Sequence, residues 1–138
     1  MLVVIDANVV ISVFIKPGMP ISLLFKEDLN IFAPELLLRE VEENKEIIYE
    51  KSELTREEIT KALNIIKQRI TFIPEREFTY QRASAEKICP DKKDLSYFAL
   101  ALHINCPIWT NDKKLKQQPH IKVYATHELI ELLRTRHL

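Results

Sequence analysis

The sequence predicts an α/β domain in which a mostly parallel sheet is covered by helices on both faces. Short runs rich in β-branched residues alternate along the chain with longer segments whose apolar residues recur at helical spacing. The length of 138 residues suits one compact domain. No stretch approaches the ~20 apolar residues that a membrane span needs. We therefore expect a single domain over residues 1–138.

The first strand is predicted at residues 2–5, a continuous apolar run (LVVI) of the kind found in strands buried on both faces. Asp6 ends this strand. A helix should follow, with Asn8 as its N-cap, because the next residues are mainly apolar. Residues 17–18, Pro-Gly, indicate a turn, and a short helix is expected at residues 23–25.

The next elements are a short strand and two charged helices. The strand is predicted at residues 30–33 and is stopped by Pro34, which also suits the first turn of a helix. That helix should run over residues 35–51. Thr55 followed by Glu58 forms a capping-box pattern, which predicts the start of another helix.

The elements after residue 70 continue the alternation. The clearest is a helix over residues 94–104, in which Leu95, Phe98 and Leu102 fall at helical spacing. The others, in chain order, are a strand over 71–73, a helix over 78–88, strands over 107–110 and 121–124, and a helix over 126–134. The sheet should therefore have four or five strands.

Composition excludes several classes of enzyme and metal site. Gly18 is the only glycine, whereas a dinucleotide-binding loop, a P-loop and a hydrolase nucleophile elbow each need more than one. Cys89 and Cys106 lie far apart without metal-ligand spacing. We expect reduced thiols and no zinc site.

The charge balance is neutral, with a formal net charge of zero. This argues against tight, non-specific nucleic-acid binding, although Lys113, Lys114 and Lys116 form a local basic run. The N-terminal segment has no basic leader, and Asp6 interrupts its apolar run. A secretory signal is therefore not expected, and the predicted location is the cytoplasm.

Four acidic residues, separated by dozens of positions, are candidates for one site. Asp6 and Asp112 each follow a predicted strand, and active sites of parallel sheets gather at the carboxyl ends of strands. The helix that begins near Asp94 can point its N-terminus at the same edge. Glu40 lies about two turns into the helix after the second strand, so it can reach inward.

Crowded carboxylates need a counter-charge. Two of them about 5 Å apart repel by roughly 3 kcal/mol at an effective dielectric constant near 20. A divalent cation would remove this cost, and oxygen-only ligands favour Mg²⁺ or Mn²⁺. Such an ion can orient water, lower its pKa and stabilise charge on a phosphoryl oxygen. If the acids converge, they predict metal-dependent phosphodiester hydrolysis.

Each acid also has a structural interpretation. Asp6 could cap the first helix or end its strand, and Asp112 could be a turn residue. Asp91 and Asp94 stand three residues apart before an apolar helix. We expect Asp91 to act as a cap and Asp94 to face the site.

The helix-borne acid is the least defined of the four. Its helix carries several glutamates, most of which must form a solvated face. Glu40 is the preferred candidate, and Glu43, three residues further on the same helical face, is its substitute.

These residues resemble the PIN-domain family, which includes toxin ribonucleases of VapC type. The resemblance covers nearly the whole chain, through VVIDANVVIS, PELLLREVEENKEII, PDKKDLSYFALAL, PIWTNDKKL and VYATHELIELL in that order. It implies a three-layer α/β/α sandwich around a central parallel sheet. It also implies Mg²⁺- or Mn²⁺-dependent cleavage of single-stranded RNA, with water as the nucleophile.

The resemblance also implies roles for individual residues. Those matching the family's catalytic, metal-binding acidic quartet are Asp6, Glu40, Asp94 and Asp112. Asp91 matches an extra acid found in part of the family, and Asn8 and Thr110 occupy positions of supporting polar side chains. The implied partners are an RNA substrate, an antitoxin protein if the chain is a toxin, and a second copy in a homodimer.

Three other classes of protein are alternatives to this interpretation. A receiver domain would need adjacent acids after the first strand, but Asp6 is followed by Ala7. A phosphatase of the haloacid dehalogenase type would need D-x-D there, and Asn8 replaces the second acid. The stronger alternative is a non-catalytic PIN module that acts as an RNA-binding or protein-interaction scaffold.

Overall fold

The computed structural model describes residues 1–16, 18–19 and 21–136. Within this part of the chain, five parallel strands form one sheet in the order β3-β2-β1-β4-β5. They are β1 (Leu2–Ile5), β2 (Asn30–Pro34), β3 (Ile70–Ile73), β4 (Ile108–Trp109) and β5 (Val123–Tyr124). The prediction of an α/β fold with a mostly parallel sheet of four or five strands is confirmed.

Helices connect the strands. The α-helices of the described residues are α1 (Ala7–Ile15), α2 (Leu36–Glu43), α3 (Lys45–Lys51), α4 (Arg56–Arg69), α5 (Arg82–Ile88), α6 (Leu95–Ile104) and α7 (Thr126–Thr135). Short 3₁₀ turns separate several of them, and two of these turns, Lys92–Asp94 and Lys113–Lys116, lie beside the candidate site.

The strand order distributes the helices over two faces. From β1 through β2 to β3 the chain moves in one direction, and from β3 to β4 it crosses back past β1. Parallel crossovers are right-handed, so the helices before β3 and those between β3 and β4 cover opposite faces of the sheet. The direction reverses between β1 and β4, and sheets of this kind bind ligands in the crevice at that point.

The centre of the sheet is fully buried. Val3, Val4 and Ile5 of β1 have no exposed surface, which explains why this strand is a continuous apolar run. Helix α6 packs on β1, β2 and β4, and Phe98 and Leu100 are completely buried there. Because a crossover helix runs against its strands, the N-terminus of α6 lies at the carboxyl edge of the sheet.

Two predictions about helix boundaries were wrong. The helix predicted over residues 35–51 is divided at Asn44, whose Nδ2 donates a 2.8 Å hydrogen bond to the carbonyl of Glu40. Such side-chain bonds compete with helical backbone bonds. The N-cap of α1 is Asp6, whose Oδ1 accepts a 3.5 Å bond from Asn8 N, and not Asn8 itself.

Other elements are shorter than predicted. The helix expected at 78–88 begins only at Arg82, after two 3₁₀ turns, Glu75–Glu77 and Thr79–Gln81. Strands β4 and β5 each have two residues in place of four. The capping box of α4 is confirmed by the reciprocal bonds between Thr55 and Glu58.

Some remaining predictions concern single positions. Gly18 has a φ of +79°, which fits the predicted turn, whereas Pro17 lies outside the described residues. Cys89 and Cys106 are free thiols. None of the helices in the described ranges combines the length and apolar character required to cross a bilayer.

Candidate active site

The Thr110 side chain joins the carboxyl ends of β1 and β4. Thr110 is buried, with 1% of its surface exposed, and its Oγ1 donates a 2.8 Å hydrogen bond to Oδ2 of Asp6. The same oxygen lies 3.1 Å from Asn8 Nδ2 and 3.1 Å from the backbone N of Asp112, both of which donate to it. Two sequence-predicted acids and both supporting polar residues are therefore brought to one place.

Asp6 is a buried carboxyl group at the switch point of the sheet. Only 6% of its surface is exposed, and burial raises the pKa of this carboxyl. The hydrogen bonds from Thr110 and from Asn8 N oppose that rise, while the charge of Asp112 adds to it. Asp6 therefore caps α1, as one of its two sequence interpretations has it, and its carboxyl also lies within reach of the charge of Asp112.

Asp94 lies at the end of the Lys92–Asp94 turn, directly before α6. Burial, and then the charges of Asp6 and Asp91, raise the pKa of its carboxyl to about 7, with Lys93 opposing the rise. Its Oδ2 is buried and has no hydrogen-bond partner among the described residues. A buried carboxylate oxygen without a partner is costly, so this oxygen requires a proton or a cation.

Glu40 extends from α2 toward the same cluster. Its Oε1 accepts a 2.7 Å hydrogen bond from the hydroxyl of Tyr97 on α6. Burial raises the pKa of Glu40, and so do the charges of Asp6 and Glu43, whereas the Tyr97 bond lowers it. Glu43 is exposed, so of the two candidates Glu40 is the one held against α6.

Tyr97 is a functional candidate that sequence reasoning missed. Its side chain is 1% exposed, and burial together with the charge of Glu40 raises the pKa of the phenol, so it remains a hydrogen-bond donor. The sequence signal that could have identified Tyr97 is its spacing from Asp94. It lies three residues after that acid and is the one tyrosine of an otherwise mainly apolar helix. Its partner on α2 could not be read from that spacing.

Two of the acids also cap turns. Asp91 Oδ1 accepts a 3.1 Å bond from Lys93 N, and Asp112 Oδ1 accepts a 3.0 Å bond from Lys114 N. The expectation that Asp91 is a cap is confirmed. Asp112 combines the turn role with a position beside Thr110.

The donor chemistry fits an oxygen-preferring divalent cation. The unpartnered Oδ2 of Asp94 lies among carboxylates whose charges act on one another. No three His, Cys, Asp or Glu side chains in the described part of the chain form a ready-made metal cluster. The carboxylate oxygens that are present are nevertheless of the kind that Mg²⁺ prefers.

A surface cleft opens near Glu40, between α2 and the N-terminal parts of α5 and α6. Its volume is about 440 Å³, and its lining residues are Glu35, Leu36, Arg39, Glu75, Arg82 and Ser96. Ser96 Oγ donates a 3.0 Å bond to Oε1 of Glu75, which ties the wall of the cleft together. None of the four candidate acids is among the residues that line this cleft.

Comparisons with known proteins support the fold. A family model described as PIN domain matches residues 4–130. The crystal structure of VapBC2 from Rickettsia felis, bound to a DNA fragment from their promoter, is similar to this chain with a TM-score of 0.61 and 19% sequence identity. The match covers 91% of this chain and 98% of that one. A search of curated proteins found no match.

Proposed function

This chain belongs to the PIN-domain family, and from that premise we propose that it is a metal-dependent endoribonuclease that hydrolyses RNA phosphodiester bonds. The observation that carries the proposal is the buried, unpartnered Oδ2 of Asp94 among carboxylates from distant parts of the chain. With neither a proton nor a cation on Asp94, this arrangement costs free energy. A bound divalent cation would neutralise the carboxylates and would serve catalysis.

The residues proposed to hold Mg²⁺ or Mn²⁺ are Asp6, Glu40, Asp94 and Asp112. When bound, such an ion supplies Lewis-acid stabilisation of phosphoryl oxygen and a more acidic water for attack. Asp94 is suited to exchange a proton for a cation near neutral pH, because its pKa is raised to about 7.

The neighbouring side chains keep the carboxylates in position. The Thr110 hydroxyl holds Asp6, and Asn8 Nδ2 in turn donates to that hydroxyl. The Tyr97 phenol of α6 holds Glu40 of α2. Because Asp6 and Thr110 are both buried, bulk water has little access to compete with the hydrogen bond between them. Ligands oriented in this way retain metal better than mobile ones.

The biological setting is proposed from the same premise. We propose one nuclease domain over residues 1–138 in the cytoplasm, acting as the toxin of a toxin-antitoxin pair, with an antitoxin protein and a second copy of the chain as partners. The structural similarity to VapBC2 supports the antitoxin. A non-catalytic PIN scaffold is the second candidate, and the lack of a ready-made metal cluster among the described residues favours it.

A cleavage assay separates the two candidates. Purified protein is incubated with end-labelled single-stranded RNA in EDTA and then with excess Mn²⁺ or Mg²⁺. We expect no cleavage in EDTA and restored cleavage with metal. Asp6→Asn, purified in parallel, should be inactive, whereas Glu53→Gln, at an exposed position, should match the wild type. Equal cleavage by Asp6→Asn and wild type would contradict the nuclease proposal.

A further inference from the structure

Two turns beside the acidic site share one sequence and one geometry. Each reads Asp-Lys-Lys, at residues 91–93 and at residues 112–114. Each leads into a 3₁₀ turn in which the aspartate accepts a bond from the backbone N two residues later, at 3.1 Å in the first and 3.0 Å in the second. Each lysine pair therefore lies at the start of a 3₁₀ turn that is capped by the preceding aspartate.

Both turns adjoin the carboxylate cluster. The first ends at Asp94, whose carboxyl is influenced by the charges of Lys93 and Asp112. The second begins at Asp112, whose backbone N is bonded to Thr110. One turn precedes α6 and the other follows β4, so the two lysine pairs lie on two separate elements.

Charge is segregated between the interior and the rim of the site. Asp6 and Asp94 are buried, whereas the four lysines of the two turns, Lys92, Lys93, Lys113 and Lys114, are exposed. Lys93 makes a 3.9 Å ion pair with Asp91, with 72% of the lysine side chain exposed. Such a surface pair contributes little and leaves the amine available.

The other three rim lysines differ from Lys116, the last lysine of the basic run that begins at Lys113. Within the described ranges, the amines of Lys92, Lys113 and Lys114 have no ion-pair partner, whereas Lys116 pairs with Glu128. The amine of Lys116 is therefore occupied by this ion pair within the protein. The remaining lysines form a rim of positive charge on a protein whose formal net charge is zero.

We propose that the two Asp-Lys-Lys turns bind the phosphate backbone of single-stranded RNA, through Lys92 and Lys93 of the turn before α6 and Lys113 and Lys114 of the turn after β4. This rests on the proposed nuclease function and assigns its substrate-binding surface. A lysine amine is a point charge with several donors that contacts phosphate without reading bases. Local charge then provides the attraction that the net charge does not.

The test is the salt dependence of RNA binding. Anisotropy of two fluorescent 12-nucleotide RNAs of different sequence is measured in EDTA over a range of salt, with RNA integrity checked on gels. The variant replaces the four rim lysines with Gln. The control replaces four exposed lysines elsewhere, Lys51, Lys61, Lys67 and Lys122, with Gln, and so changes the net charge equally.

Each phosphate contact contributes about 0.7 to the slope of log K against log salt for single strands. The rim variant should lose up to about 2.8 of slope and bind both RNAs roughly tenfold or more weakly at low salt. The control should keep nearly the wild-type slope. Equal losses in the two variants, loss with one RNA only, or no wild-type binding would each overturn the proposal.

The variants leave the backbone bonds of the turns intact, because the aspartates bind backbone N–H groups. Pairwise variants, Lys92→Gln/Lys93→Gln and Lys113→Gln/Lys114→Gln, should each lose about half of the slope change. Wild-type cleavage with Mn²⁺ is scored separately. If the wild type cleaves but the rim variant keeps its slope, only this inference is overturned. If the rim binds but nothing is cut, only the nuclease function is overturned.

Discussion

The Thr110 hydroxyl donates its hydrogen bond to Asp6 Oδ2 at 2.8 Å, across 104 positions of the sequence. A hydroxyl has one proton, so its lone pairs must accept the bonds from Asn8 Nδ2 and Asp112 N. The Thr110 hydroxyl therefore makes all three hydrogen bonds open to it, and these bonds join the ends of β1 and β4. The two acids that the sequence places at strand ends depend on this one oxygen for their relative position.

Thr110→Val tests that dependence, because valine has the same shape without the hydroxyl. Asp6 loses a donor and Asp112 N loses its acceptor in a buried place, so unfolding free energy should fall by about 1–3 kcal/mol. Metal affinity and cleavage should fall roughly 10–100-fold. Urea unfolding, Mn²⁺ titration and RNA cleavage measure these effects. Thr110→Ser, which keeps the hydroxyl, should restore most metal affinity, and failure to do so would contradict the role of the oxygen.

Asp94 predicts a pH dependence of the metal-free protein. Its pKa rises from an ordinary value of about 4 to about 7 in the fold, so the folded protein binds more protons than the unfolded chain between these values. Stability attributable to Asp94 is therefore present at low pH and is lost as pH rises through this window. In EDTA, the unfolding free energy of Asp94→Asn relative to wild type should increase from pH 5 to pH 8.

Urea unfolding at several pH values measures this difference. Glu53→Gln, at an exposed site, is the control and should follow the wild type at every pH. A constant difference between Asp94→Asn and wild type would show that the Asp94 carboxyl does not titrate in this range. Excess Mn²⁺ should reduce the difference, because the ion stabilises only the form that binds it.

Strand β1 was predictable with its exact bounds, while β4 and β5 were not. A strand buried on both faces must be apolar throughout, so Leu2–Ile5 is visible in the sequence. The lengths of β4 and β5 depend on pairing: Ile108 and Trp109 have partners in both neighbouring strands, and the residues around them do not. Pairing of this kind is a property of the whole sheet.

The candidate site also has a part that the sequence predicts and a part that it does not. The positions of Asp6 and Asp112 follow from strand ends, which periodicity reveals. The bond between Tyr97 and Glu40 joins side chains 57 positions apart, on two helices whose packing the sequence does not specify. The break at Asn44 was hidden for a related reason, since one side-chain bond to a carbonyl outweighs a pattern that otherwise continues through it.

Tyr97→Phe removes only the donor to Glu40. The buried ring remains packed, so the loss in unfolding free energy should be about 1 kcal/mol. Mn²⁺ affinity, measured by isothermal titration, should fall roughly tenfold because Glu40 is no longer held toward the cluster. Tyr80→Phe is the matched control, since the Tyr80 hydroxyl binds His103 on the exposed surface. Equal Mn²⁺ affinities in the two variants would contradict a positioning role for Tyr97.

Glu40→Gln and Glu43→Gln distinguish the two candidate acids of α2. Both remove one carboxylate from the same helix, but Glu40 accepts a hydrogen bond from Tyr97 of α6 whereas Glu43 is exposed. Glu40→Gln should reduce cleavage at least roughly 100-fold and weaken Mn²⁺ binding, because a neutral amide replaces a charged ligand. Glu43→Gln should stay near the wild type in both measurements, since its side chain is solvated. The reverse ranking would assign the helix-borne ligand to Glu43 and would require α2 to rotate when metal binds.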